Sequence, residues 1–332
     1  MSFLIIGAGS WGTAFAMHLS RLHPHSKIYL SGRDHTQLEE MKIHRENKRY
    51  LPNILFPTGL IIAQNIQEIF PTIENIIIAV PSHAFREILE NIKPFFSLTR
   101  QKLFWITKGL DGDETKKSFL HETALAIFGQ SLSFGIISGP SFAKEVALEL
   151  PTAVTLAGNN KDDVKLFHSP AFRVYYSDDI IGVQLGGAVK NVLAVGVGIA
   201  EGLGCGANAQ AALITRGLSE MMRLGTACHA QNKTLMGLSG VGDLILTCTN
   251  NQSRNRRFGI AMGQNKSRIE AEKSIGQVVE GIQTAKEIFA LSLQHQIEMP
   301  ITEQVYKLLY EKLSAKQALN NLLMREPKIE NM

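Results

Sequence analysis

Apolar and polar positions follow two different rhythms along this chain. Through the first half, short runs rich in β-branched and other apolar residues at 3–6, 27–30, 59–63, 75–80, 102–107 and 134–138 predict strands. Segments with helical spacing at 13–22, 36–46, 83–92 and 115–128 lie between them. Strand and helix in alternation predict a parallel sheet with crossover helices on its faces. Two further strands are expected at 153–157 and 173–176, flanking a short helical segment and extending the sheet at its far side. Their direction is not readable from the pattern. After about Asp178 helical spacing takes over, as in Ile214, Leu218, Met221 and Met222, and again in Ile301, Val305, Leu308 and Leu309. The expectation is a doubly wound α/β domain at 1–180 and an all-α domain at 181–332, with a polar tail at 325–332 that frays.

Composition narrows this picture. A chain of 332 residues with 45% hydrophobic and 19% charged residues reads as a globular protein, large enough to stabilise its cores without disulfide or metal staples. A net charge of +4 and pI near 8.9 are too mild for a protein that lives on phosphate backbones, so a basic pocket is expected and nucleic-acid binding is not. Cys205, Cys228 and Cys248 are widely spaced and form no C-x-x-C motif, which argues for a reducing, cytoplasmic setting and no metal site. The apolar opening at 1–22 lacks a basic residue ahead of it and contains Gly7, Gly9 and Gly12, so it belongs to the fold and is not a signal sequence. The longest uncharged apolar stretch, 191–200, is too short to span a bilayer, so no stable membrane insertion is expected.

The first chemical signal is Gly7-Ala8-Gly9-Ser10-Trp11-Gly12, which follows a strand and opens a helix. In that context it is a dinucleotide fingerprint: Gly7 permits the tight turn, Gly9 lets the backbone approach a pyrophosphate, and Gly12 lets helix pack on strand. The helix N-terminus then offers N–H groups and its positive dipole end to the phosphates. These features make the first domain Rossmann-like. The second strand ends in Leu30-Ser31-Gly32-Arg33-Asp34, with no carboxylate where an NAD site usually carries one. Arg33 suits a 2′-phosphate, which favours NADPH, while Asp34 keeps NADH open; a surface Arg33 paired to Asp34 is the plain alternative. Strand 102–107 ends in Lys108-Gly109, at the sheet edge where ligands of such folds bind, although Lys108 also reads as an ordinary turn lysine.

A second signal lies in the helical half. The neighbours of Lys190 three and four residues away are Gly186, Gly187, Leu193 and Ala194, so the lysine has no carboxylate partner on its own helix. On an apolar, close-packing face it must snorkel out or meet an anion from elsewhere, and a phosphate ester would serve. Such a lysine is a candidate proton donor, with Lys108 as a second cation. Asp243, between glycine and leucine in an apolar loop, needs a partner; bonding a substrate hydroxyl and holding Lys190 are both open to it. Ser253, Arg254 and Asn255 lie in the densest polar and cationic stretch and can offer several donors to one phosphate. Glu280 precedes a helical segment and also reads as a first-turn acid.

Taken together, the glycine motif, Thr107-Lys108-Gly109-Leu110, Ser138-Gly139-Pro140-Ser141-Phe142-Ala143, Gly187-Ala188-Val189-Lys190-Asn191-Val192, the Asp243 loop, Asn251-Gln252-Ser253-Arg254-Asn255-Arg256-Arg257 and Val279-Glu280-Gly281 resemble the bacterial NAD(P)-dependent glycerol-3-phosphate dehydrogenases across essentially the whole chain. The resemblance implies reversible reduction of dihydroxyacetone phosphate to sn-glycerol 3-phosphate, feeding glycerophospholipid synthesis, by a homodimer. It implies Lys190 as proton donor and acceptor, and Lys108, Gly139, Ser141, Asp243, Ser253, Arg254 and Asn255 as substrate contacts. Cofactor contacts implied are Ser10, Trp11, Arg33, Lys108, Ala143, Arg254, Val278 and Glu280. Two rivals share parts of the pattern: another dehydrogenase of β-hydroxy acids built around a lysine, and a nucleotide-sensing module without turnover.

Overall fold

The computed structural model describes residues 1–112, 117–326 and 329–330. The chain divides into two compact units, Met1–Lys108 with Leu120–Ile180, and Gly109–Phe119 with Ile181–Met332. The second unit therefore takes a short segment from within the first half, which no periodicity announces.

The sheet of the first unit is built from β1 (Ser2–Ile6), β2 (Lys27–Ser31), β3 (Leu60–Ile62), β4 (Asn75–Ile78), β5 (Lys102–Trp105), β6 (Phe134–Ser138), β7 (Thr152–Gly158) and β8 (Phe172–Ser177). Their spatial order is β8-β7-β6-β5-β4-β1-β2-β3. Every neighbouring pair is parallel except β6 and β7. β1 and β4 are buried at every position, as strands covered on both faces must be, and that is why they read as unbroken apolar runs. Chain order reverses between β1 and β4, so the topological switch point lies at their carboxyl ends. The helices α1 (Ser10–Leu22), α2 (His35–His44), α3 (Phe85–Ile92) and α4 (Leu120–Phe128) follow the predicted pattern, with two departures. α2 stops where Arg45 turns left-handed (φ 53°) and donates to the carbonyls of Pro57 and Leu60; an unforeseen antiparallel pair, Glu46–Asn47 with Leu51–Leu55, follows. The helix expected at 115–128 begins only at Leu120. Thr115 lies outside the described residues, and Lys117–Ser118 pair with Asp111–Gly112 while the Lys117 N–H donates to Gln294 Oε1, so tertiary bonds override helical spacing there.

Buried His18 of α1 donates from Nε2 to the Phe167 carbonyl at 2.8 Å; since a carbonyl only accepts, Nε2 carries the proton. Burial lowers its pKa from 6.5 to about 4. A base depressed in the folded state contributes stability that is present above its unfolded pKa and lost as pH falls through the folded one. Acidification from pH 6.5 to 4 is therefore expected to cost the first unit about 3 kcal/mol through His18. Chemical denaturation across that window should show a shallower pH slope for His18→Gln than for the unaltered chain; equal slopes would refute this source.

The second unit carries α5 (Ile180–Gly202), α6 (Ala207–Ala227), α7 (Asp243–Thr249), α8 (Arg254–Gly263), α9 (Arg268–Ile275), α10 (Glu280–Gln294), α11 (Pro300–Tyr310) and α12 (Ala315–Leu323). Among the described residues α5 is the one helix long and apolar enough to cross a membrane, yet most of it is buried inside this unit, as expected of a core helix. Small residues let its backbone touch its neighbours. A Cβ on Gly198 would lie 2.2 Å from the Arg256 carbonyl oxygen, and one on Gly259 would lie 2.2 Å from that of Val195. The close crossing of α5 and α8 brings Glu201 to Arg256, a half-buried ion pair that links the two helices.

Candidate active site

In the first unit, the carboxyl ends of β1 and β4 meet the glycine turn. Gly7 has φ +128°, and a Cβ there would lie 2.5 Å from the Ala79 carbonyl oxygen; on Gly12 it would lie 2.0 Å from that of Gly7. Around Gly9 a Cβ would meet nothing within 4 Å. The turn is thus closed on its protein side and open at its middle glycine, which is the shape that backbone approach to a pyrophosphate requires. Gly9 is the N-cap of α1 and offers no side chain to its first turn, where Ser10 and Trp11 lie half-buried. The residues present therefore fit a dinucleotide phosphate group. Trp11 packs its ring 5.7 Å from that of Phe15.

At the end of β2, Arg33 is exposed. Asp34 is engaged elsewhere: Oδ1 accepts from the Gln37 N–H at 3.1 Å, capping α2, and Oδ2 pairs with Arg49 at 3.2 Å. Beyond β5, Thr107 Oγ1 donates to the Val80 carbonyl at 2.7 Å, joining the ends of β4 and β5. Lys108 Nζ donates to the Gly139 carbonyl at 3.3 Å, and Ser141 Oγ donates to the same oxygen at 2.9 Å. Ala143 opens a short helix, Ala143–Ala147. Lys108, Gly139 and Ser141 are thus gathered in one place at the carboxyl edge of the sheet.

In the second unit, Lys190 is 8% exposed on α5, and its Nζ donates to Asp243 Oδ1 at 2.7 Å and Thr247 Oγ1 at 2.9 Å. Asp243 is 1% exposed. The approach depends on Gly186, one turn before Lys190, where a Cβ would lie 2.3 Å from the Ser239 carbonyl oxygen. That contact seats the single wide turn Leu238–Gly242, which delivers Asp243 to the start of α7. Thr247 in turn donates to the Asp243 carbonyl at 2.6 Å, one turn along α7. A buried ammonium is in this way neutralised and aimed by two oxygens on a different helix. Cys248 beside it is no competitor for chemistry, since burial pushes its thiol up to about 12.

A second polar junction holds the anion-binding candidates. Asn255 Nδ2 donates to Asn191 Oδ1 at 2.9 Å, and Asn255 Oδ1 accepts from the Gly281 N–H at 2.9 Å. Asn191 Nδ2 reaches Glu280 Oε2 at 3.4 Å. Asn255 therefore ties α5, α8 and the start of α10 together, and its amide keeps one N–H for any ligand. Ser253 is the N-cap of α8, accepting from the Arg256 N–H. Arg254 at the first position of α8 is half-buried, while Arg256 is consumed by Glu201 and Asn251. Val278 is exposed just ahead of Glu280, the first residue of α10. Sequence reasoning missed Thr247 and Asn191 as partners. Asn191 follows Lys190 directly, and Thr247 lies four residues after Asp243, the helical spacing that could have revealed it.

Two family models match this chain: the N-terminal part of NAD-dependent glycerol-3-phosphate dehydrogenase over residues 2–164, and its C-terminal part over 179–320. A glycerol-3-phosphate dehydrogenase (NAD(P)+) of Psychromonas ingrahamii is 48% identical over 99% of both chains. One from Legionella pneumophila, strain Philadelphia 1, is 50% identical over 98% of both. Among solved structures, glycerol-3-phosphate dehydrogenase from Coxiella burnetii superimposes with a TM-score of 0.93 at 45% identity, over 98% of this chain and 99% of that one.

Proposed function

The chain belongs to the NAD-dependent glycerol-3-phosphate dehydrogenase family, and from that premise we propose that Lys190 is its catalytic acid and base. It is an NAD(P)-dependent oxidoreductase that interconverts dihydroxyacetone phosphate and glycerol 3-phosphate. The observation that carries the residue assignment is the buried Lys190 ammonium held by Asp243 and Thr247.

The reduced nicotinamide, when bound, supplies the hydride that the ketone carbon of the substrate receives. Its dinucleotide would be held by Gly7, Gly9, Ser10, Trp11, Gly12, Arg33 and Ala143, with Lys108, Arg254, Val278 and Glu280 as further contacts. As negative charge develops on the carbonyl oxygen, the Lys190 ammonium stabilises it and hands over a proton; in the oxidative direction the amine takes that proton back. Asp243 keeps the amine in place through either step. Lys108, Gly139, Ser141, Ser253, Arg254 and Asn255 are assigned to the substrate, with the guanidinium of Arg254 as the charged partner of its phosphate. NADPH is the preferred cofactor in this reading. The product would feed glycerophospholipid synthesis in the cytoplasm, and the working form would be a homodimer.

Steady-state oxidation of NADPH and of NADH on adding dihydroxyacetone phosphate tests the reading, with light scattering for the assembly. Preference is expected to depend on Arg33, whose guanidinium is not taken up by Asp34. Arg33→Ala should raise KM for NADPH about tenfold or more, the loss of a charge-assisted contact, and leave KM for NADH within about twofold. Parallel changes for both cofactors would remove Arg33 from discrimination.

A further inference from the structure

The glycine turn is held from outside by two side-chain amides. Asn47 Nδ2 and Gln37 Nε2 each donate to the Ala8 carbonyl oxygen at 3.0 Å. The other Nδ2 proton of Asn47 goes to Thr13 Oγ1 at 2.8 Å, in the first turn of α1. Its Oδ1 accepts from the Tyr50 N–H at 3.2 Å and from Gln37 Nε2 at 3.3 Å. Asn47 is 0% exposed, so its two donors and both acceptor positions are spent on bridging the turn, the helix behind it and the Glu46–Asn47 strand.

Peptide planarity turns this clasp into a statement about ligand binding. In a trans peptide the carbonyl of residue 8 and the N–H of residue 9 point in opposite directions. With the Ala8 oxygen drawn to the two amides, the Gly9 N–H faces away from them, at the one glycine of the turn around which space is open. Without the clasp that peptide is free to rotate and present its carbonyl, a partial negative charge, to an anion.

We propose that Asn47, assisted by Gln37, is a positioning residue of the cofactor site: it fixes the Ala8–Gly9 peptide so that an N–H and not a carbonyl meets the pyrophosphate. The inference rests on the dinucleotide reading of the turn. Its signature is a loss of affinity for pyrophosphate-bearing ligands that leaves the chemistry intact.

The test titrates ADP-ribose into the full-length enzyme and into Asn47→Ala, and measures both kinetically. The dissociation constant of ADP-ribose and KM for NADPH are expected to rise about tenfold or more, as for a lost preorganised donor. At saturating NADPH, kcat and KM for dihydroxyacetone phosphate are expected to stay within about twofold, a split that a general lesion of the fold would not produce. Gln37→Ala, which removes one donor of the pair from a half-buried position, should move the same two constants about two- to fivefold, and it decides the matter if Asn47→Ala does not fold. Unmoved ADP-ribose affinity in a folded variant, or kcat falling in step with affinity, overturns the clasp. An unaltered enzyme that binds no ADP-ribose overturns the dinucleotide reading itself, and the clasp with it.

Discussion

Lys190→Ala is expected to lower kcat by about 10²–10⁴-fold, the usual contribution of a positioned acid, while the dissociation constant for NADPH stays within a few-fold. The reason is local. The ammonium is the group that the second unit buries at 8% exposure and aims with two oxygens, and alanine removes both its proton and its charge from the reaction. The same substitution also leaves Asp243 as a buried carboxylate without its 2.7 Å partner, which destabilises the unit and complicates a simple activity measurement. The double variant Lys190→Ala with Asp243→Asn separates the two effects. It should recover much of the lost stability and none of the turnover. Turnover that survives in Lys190→Ala, measured by stopped-flow oxidation of NADPH, would withdraw the assignment.

Much of this was visible in the sequence because the sheet and its site obey period and punctuation. β1 and β4 are unbroken apolar runs, and burial on both faces explains them. The glycine turn was legible because Gly7 and Gly12 face backbone at distances that no side chain tolerates. What stayed hidden depends on contacts far apart in sequence. The short pair Glu46–Asn47 with Leu51–Leu55 contains Pro52 and a left-handed Asn53, so no strand pattern marks it, and the clasp on Ala8 was hidden with it. The segment 117–119 is fixed by a bond to Gln294 that spacing cannot show. In the same way Asn255 reads as a free donor in a cationic stretch, whereas its amide is largely spent on Asn191 and Gly281. The need of Lys190 for an anion was readable from its glycine and alanine neighbours. That a protein carboxylate 53 residues away meets that need required the fold, because Gly186 admits the Ser239 turn only in three dimensions.

Asp243→Ala tests which of the two roles open to this carboxylate the protein uses. If it holds Lys190, its removal leaves a buried ammonium without its countercharge, and the free energy of unfolding should fall by about 3–5 kcal/mol, the cost of breaking a buried pair by removing one partner. kcat should drop with it, because the amine loses its 2.7 Å bond to Asp243 Oδ1 and with it part of what aims it. Asp243→Asn keeps an oxygen at the same place and should lose less of both. A carboxylate that instead bonds the substrate hydroxyl predicts another pattern: KM for dihydroxyacetone phosphate rises while stability barely changes. The 1% exposure of Asp243 and its bond to Nζ favour the first outcome. Denaturant unfolding of both variants, read beside kcat and KM, distinguishes them. A KM effect without a stability loss would leave Lys190 as the acid but deny Asp243 its part in aiming it.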